Sequence, residues 1–112
     1  MSLLLEGGRT RQVPLPVVAK ITSWNVAERF GLPAAKGSVK MGSDADLALV
    51  DLEHSFEVQS EALLDRHRLS PYTGRTLTGR VIQTILRGRT IYKNDQIVSQ
   101  PAGQLVTPNV PN

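Results

Sequence analysis

Residues 36–51 read Lys-Gly-Ser-Val-Lys-Met-Gly-Ser-Asp-Ala-Asp-Leu-Ala-Leu-Val-Asp, and this run constrains the fold more than any other part of the chain. Gly37 and Gly42 punctuate a turn, Asp44 and Asp46 are residues that turns favour, and the turn feeds directly into Leu47-Ala48-Leu49-Val50. That apolar run, bounded by Asp46 and Asp51, reads as one short strand. From Gly37 onward the chain must therefore build a sheet.

The following segments agree. Ser55-Phe56-Glu57-Val58 is a brief alternating strand, and Ser60 opens Glu61-Ala62-Leu63-Leu64-Asp65-Arg66, a short helix of a turn or two capped by the serine hydroxyl. Ser70-Pro71-Tyr72-Thr73-Gly74-Arg75 reads as a loop. The clearest hairpin joins Val81–Leu86 to Thr90–Tyr92 around Arg87-Gly88-Arg89, with Gly88 able to take positive φ. Asn94-Asp95 makes a second turn into Ile97-Val98, and residues 101–112 hold little to bury, as expected of an ordered crossing or a loose tail.

Ahead of the sheet lies one long helix, Val13–Phe30. Pro14 and Pro16 suit its first turn, where missing amide donors cost nothing, while Gly31 and Pro33 mark its end. Val17, Ile21, Trp24 and Ala27 recur at helical spacing, with Val18 and Phe30 widening the stripe, so one face demands burial. The expected fold class is α+β, one long and one short helix on a small, mostly antiparallel sheet. Its parts are residues 1–33 (an extended N-terminal segment and the amphipathic helix), 34–100 (the sheet) and 101–112 (the tail).

With 112 residues the chain has room for one domain, and with five large aromatics (Trp24, Phe30, Phe56, Tyr72, Tyr92) its packing rests on Leu, Val and Ile. No cysteine is present, which excludes disulfides, thiolate nucleophiles and thiolate metal sites and suits a cytoplasmic protein. No apolar run approaches membrane-spanning length. A net charge of +3 invites a nucleic-acid reading, but Arg66, Arg68, Arg75, Arg80, Arg87 and Arg89 are interleaved with apolar residues and lack alternating stacking aromatics.

No residue stands out as catalytic, cofactor-binding or metal-binding. Asp44, Asp46 and Asp51 lack the ligand spacing of a calcium loop and read as turn and strand-end residues. His67, between Arg66 and Arg68, has no carboxylate placed to orient it as a general base, and His54 reads as solvent-facing. Ser70 and Tyr72 sit in a loop without a Gly-x-Ser-x-Gly elbow, and Gly7-Gly8 is too short to cradle phosphate.

The order of Asn25–Leu32, Lys36–Val39, Gly42–Leu47 and Thr84–Gly88 resembles the C-terminal part of cyclic amidohydrolases. Within that group Arg66–Thr76 is most similar to allantoinase, with dihydroorotase and hydantoinase as relatives. The resemblance spans roughly residues 3–104 and implies the last barrel helix plus the C-terminal part of a β-sandwich. It also implies a (β/α)8 barrel elsewhere, a zinc-type binuclear divalent metal centre, and hydrolytic opening of a cyclic amide in purine- or pyrimidine-type metabolism. The metal ligands of such enzymes are a His-x-His pair, a carboxylated lysine, two further histidines and an aspartate, whereas this chain has only His54 and His67.

The resemblance therefore implies a scaffold piece, inert alone, whose Val17, Ile21, Trp24 and Phe30 face meets a catalytic barrel or a second copy of itself. The other reading is a free-standing β-rich interaction module without catalysis.

Overall fold

Pro14, Gly31 and Pro33 place the ends of the long helix where the sequence marks them. The computed structural model describes residues 1–109. Pro14 is the N-cap of α2 (Leu15–Ala19), which passes without a break into a π-helical turn (Lys20–Trp24) and then α3 (Asn25–Arg29). The end is a Schellman motif: Gly31 takes φ +59°, its N–H donates to the Glu28 carbonyl at 3.2 Å, and the Leu32 N–H donates to the Ala27 carbonyl at 2.9 Å.

The π turn changes which face is buried. In an uninterrupted helix Val18 and Ala27 would point about 180° apart; one extra residue in the turn reduces this to about 80°. The Asn25 N–H accordingly reaches back five residues to the Lys20 carbonyl, and the Thr22 hydroxyl donates to the Val18 carbonyl at 2.8 Å. Val18 and Ala27 are the buried residues, whereas Val17 (44% exposed), Ile21 (46%), Trp24 (44%) and Phe30 (64%) stay outside. The single stripe expected from periodicity is thus two faces.

Four strands form one antiparallel sheet in the order β1 (Leu47–Glu57), β2 (Thr76–Leu86), β3 (Arg89–Lys93), β4 (Gln96–Ile97). Val50 pairs with Val81 and Phe56 with Leu77. The two strands expected over residues 47–58 are one strand kinked in the middle. Between Asp51 and Ser55 the register slips, because the Asp51 carboxylate accepts the backbone N–H groups of Glu53 (3.0 Å) and His54 (3.1 Å). Arg87-Gly88 (φ 47°, 80°) and Asn94-Asp95 (φ 50°, 63°) are two-residue hairpin turns with positive φ at both positions.

Two further expectations are corrected. The N-terminal segment is not extended but helical, α1 (Ser2–Thr10). Gly7 and Gly8 lower its intrinsic propensity, yet contact with β2 holds it: Glu6 accepts the Thr78 N–H at 2.9 Å. Leu5 packs on Gly79, where an added Cβ would stand 3.0 Å from the Leu5 Cβ. Near Ser60 there is only a 3-10 turn, Ser60–Ala62, preceded by Gln59 and with no side-chain cap. The chain leaves it extended at Leu63 because a loop must close: the Gly74 N–H returns to the Val58 carbonyl (2.8 Å) and the Val58 N–H to that of Arg75 (3.0 Å).

The turn ahead of β1 is clamped to the helix. Gly37 takes φ +81° and lies so close to the long helix that a Cβ would sit 2.4 Å from the Ala27 Cβ. Lys36 Nζ pairs with Asp44 at 2.8 Å and with Asp46, whose other oxygen accepts the Arg87 N–H at 2.8 Å. Hydrogen bonds to Asp44 and then Asp46 raise the Lys36 pKa above 10.5. The Asp46 carboxyl is lowered from 3.8, chiefly by Lys36 and further by the Arg87 amide.

The clamp makes two predictions. Gly37→Ala should cost about 2 kcal/mol or more in urea denaturation, since overpacking adds to the strain of positive φ; Gly42→Ala, at φ +84° with open space around it, should cost only the strain of about 1 kcal/mol. The ion pair's contribution is lost as pH falls through the depressed Asp46 value, or rises through the elevated Lys36 value. Asp46→Asn should therefore lower stability by about 1 kcal/mol at pH 7. Its gap from wild type should close as the pH is taken well below 3.8.

Candidate functional site

The helix, the Gly37 turn and the residues leading into β1 enclose an open groove of about 780 Å3. Trp24, Ala27, Leu32 and Val39 supply apolar wall, and Asp44 and Asp46 supply carboxylates. Both carboxylates are turned onto Lys36, so neither is left as a free base or ligand. Lys40 Nζ stands 6.0 Å from the centre of the Trp24 ring.

A second cluster lies on the sheet beside the β1 kink. Asp95 Oδ1 accepts both the Arg80 guanidinium (2.7 Å) and the Tyr92 hydroxyl (2.8 Å). Arg80 also stands 3.3 Å from His54 Nε2 and 5.0 Å from the Phe56 ring centre. Because a guanidinium only donates, the contact makes Nε2 the acceptor. The bond to Asp95, and then burial, raise the Tyr92 pKa above 10.0, so the phenol remains a proton donor. The charge of Arg80 is met by Asp95, and His54 Nε2 is held by Arg80.

The sequence candidates therefore fall into separate places. His54 joins the Arg80 cluster, exposed but bonded. His67 is exposed on the loop between Ala62 and Thr76, far from any histidine partner in sequence. Asp51 folds onto its own strand, and Ser70 Oγ accepts the Tyr72 N–H at 3.2 Å, a local turn. Gly7 and Gly8 lie within α1, and Arg75 is exposed at the loop neck.

The binuclear centre that the resemblance implies does not fit these residues. Among the described residues no three of His, Asp or Glu converge, and the carboxylates of Asp44 and Asp46 are both bound to Lys36. The ion partners Lys36–Asp46 and Arg80–Asp95 have no local sequence signal, being 10 and 15 positions apart. Among the described residues no helix is long and apolar enough to cross a membrane.

Residues 2–91 match the model of the amidohydrolase family. The allantoinase of Rubrobacter xylanophilus is 49% identical over 96% of this chain and 23% of the relative; that of Desulfitobacterium hafniense is 47% identical over 96% of this chain and 24% of the relative. Among solved structures, the L-hydantoinase (dihydropyrimidinase) from Arthrobacter aurescens superimposes with a TM-score of 0.89 at 28% identity, over 96% of this chain and 24% of that one. The dihydropyrimidinase from Brevibacillus agri gives 0.77 at 31% identity, over 87% and 21%. The chain spans about a quarter of the length of the relatives it matches. With the family model covering most of its length and the fold agreeing, the chain belongs to the amidohydrolase family.

Proposed function

We propose that this chain is the C-terminal scaffold portion of an allantoinase-like amidohydrolase, acting in the cytoplasm in purine catabolism. The parent reaction is metal-dependent hydrolytic opening of a cyclic amide such as allantoin. In this reading residues 1–33 are the barrel-end part, residues 34–100 part of the sandwich, and residues 101–112 the tail. The metal ligands and the water they activate belong to a (β/α)8 barrel outside this chain.

One observation carries the reading. The chain exposes 8684 Å2, whereas a free-standing folded protein of its mass exposes about 6,100 Å2. Its radius of gyration is 15.7 Å against about 13 Å for a domain of this length. The surplus, roughly 2,500 Å2, is what one side of a large, permanent interface covers. Part of the bare apolar surface lies on the outer face of the long helix, at Val17, Ile21, Trp24 and Phe30.

Allantoin hydrolysis tests this directly, with zinc, manganese or cobalt supplied. The chain alone should show no turnover; co-expressed with an allantoinase lacking the equivalent segment, it should co-purify and restore activity. Turnover by the chain alone with stoichiometric metal, or failure to bind the truncated enzyme, would overturn the reading. Ile21→Lys and Phe30→Lys should each weaken that association about tenfold or more, since each removes a buried apolar anchor worth at least about 1.4 kcal/mol. In isolation the wild-type chain should self-associate through the same face, and light scattering of the two variants should show less association.

A further inference from the structure

The chain beyond β4 returns to the helix. Arg87, at the tip of the β2–β3 hairpin, donates from its guanidinium to the Ala102 carbonyl at 2.5 Å and to Gln104 Oε1 at 3.1 Å. Farther on, the Asn109 N–H donates to the Gly31 carbonyl at 2.8 Å. Gly31 is the turning point that ends the long helix, and Pro108 lies beside it, 3.9 Å from where a Gly31 Cβ would stand.

The same two regions are joined by a second route. The Lys36 N–H donates to the Pro33 carbonyl at 2.8 Å, a short way past the helix end. Lys36 Nζ holds Asp46, and Asp46 accepts the Arg87 backbone N–H. The Gly88 N–H completes this corner by donating to the Ala45 carbonyl at 3.1 Å. The contacts form a ring: helix end, Lys36, Asp46, Arg87, Ala102 and Gln104, Asn109, and back to Gly31. Arg87 is the one residue on both routes, its backbone bound to Asp46 and its side chain to the returning segment.

We propose that residues 102–109 are a strap that closes this ring, so that the helix end and the hairpin tip open as one cooperative unit. The physical basis is redundancy. The Lys36–Asp46 route is exposed to solvent and screened by salt, so alone it couples the two regions weakly. The strap adds a path through a charged donor on neutral acceptors, a stronger class of hydrogen bond, at one end and a backbone bond at the other. Two parallel paths raise the cost of opening either region separately, which is how neighbouring elements merge into one unit of local unfolding.

Amide hydrogen exchange on the full chain tests the coupling. The reporters are the Leu32 and Lys36 amides at the helix end and the Gly88 amide at the hairpin tip. Arg87→Ala cuts the strap at the hairpin, and Asn109→Pro removes the donor at the helix. Each variant should speed exchange about tenfold at both ends, including the end it does not touch, and the double variant should add little to either. Because Asn109 lies in the returning segment, outside every helix and strand, its variant keeps the test open if Arg87→Ala fails to fold. Exchange that rises only beside each substitution, or at neither end, would overturn the proposal.

Discussion

A single carboxylate joins the two halves of this chain. Asp46 stands at the entrance to β1, with one oxygen on the Lys36 ammonium and the other on the backbone N–H of Arg87, at the far hairpin turn. The turn that Gly37 presses against the helix, the start of the sheet and the tip of its longest hairpin meet at this point. Beside it, α1 ties onto β2 at Glu6 and Leu5, and the returning segment ties Arg87 to Ala102 and Gln104 and Asn109 to Gly31. The aspartate is thus a joint rather than a reagent, and its lowered pKa reflects the partners that hold it.

Much of the architecture was legible in the residues. The helix ends at Pro14 and Gly31, the β2–β3 hairpin at Arg87-Gly88 and the turn at Asn94-Asp95 all follow from local chemistry, which operates within a few residues. What was not legible depends on distant contacts. α1 forms against the weak propensity of Gly7 and Gly8 because Glu6 and Leu5 find Thr78 and Gly79, more than seventy positions away. The π turn is equally silent in sequence, and it splits a uniform apolar stripe into a buried and an exposed face.

The same limit applies to the site. Of the aspartates read as turn residues, Asp51 does bond nearby amides, but the pairing of Asp44 and Asp46 with Lys36, and that of Arg80 with Asp95, appears only once the chain is folded. In both clusters the charged groups are bound to one another. Chemistry in a hydrolase needs groups left wanting a partner, such as a ligand without its metal or a base without its proton. The long helix instead leaves apolar side chains exposed, at Val17, Ile21, Trp24 and Phe30, the face that the proposed scaffold role would cover.

The kink at Asp51 carries a further consequence. β1 lies at the border of the sheet and is eleven residues long, and such a border offers rows of bare N–H and C=O groups to any strand that drifts by. By folding its carboxylate onto Glu53 and His54, Asp51 spends two of those donors and bends the strand midway, so no long straight template remains. A chain with this much uncovered apolar surface is at risk of stacking into fibrils. A single aspartate in mid-strand confines that risk to the helix, where association is finite, and keeps it away from the sheet, where it would be open-ended.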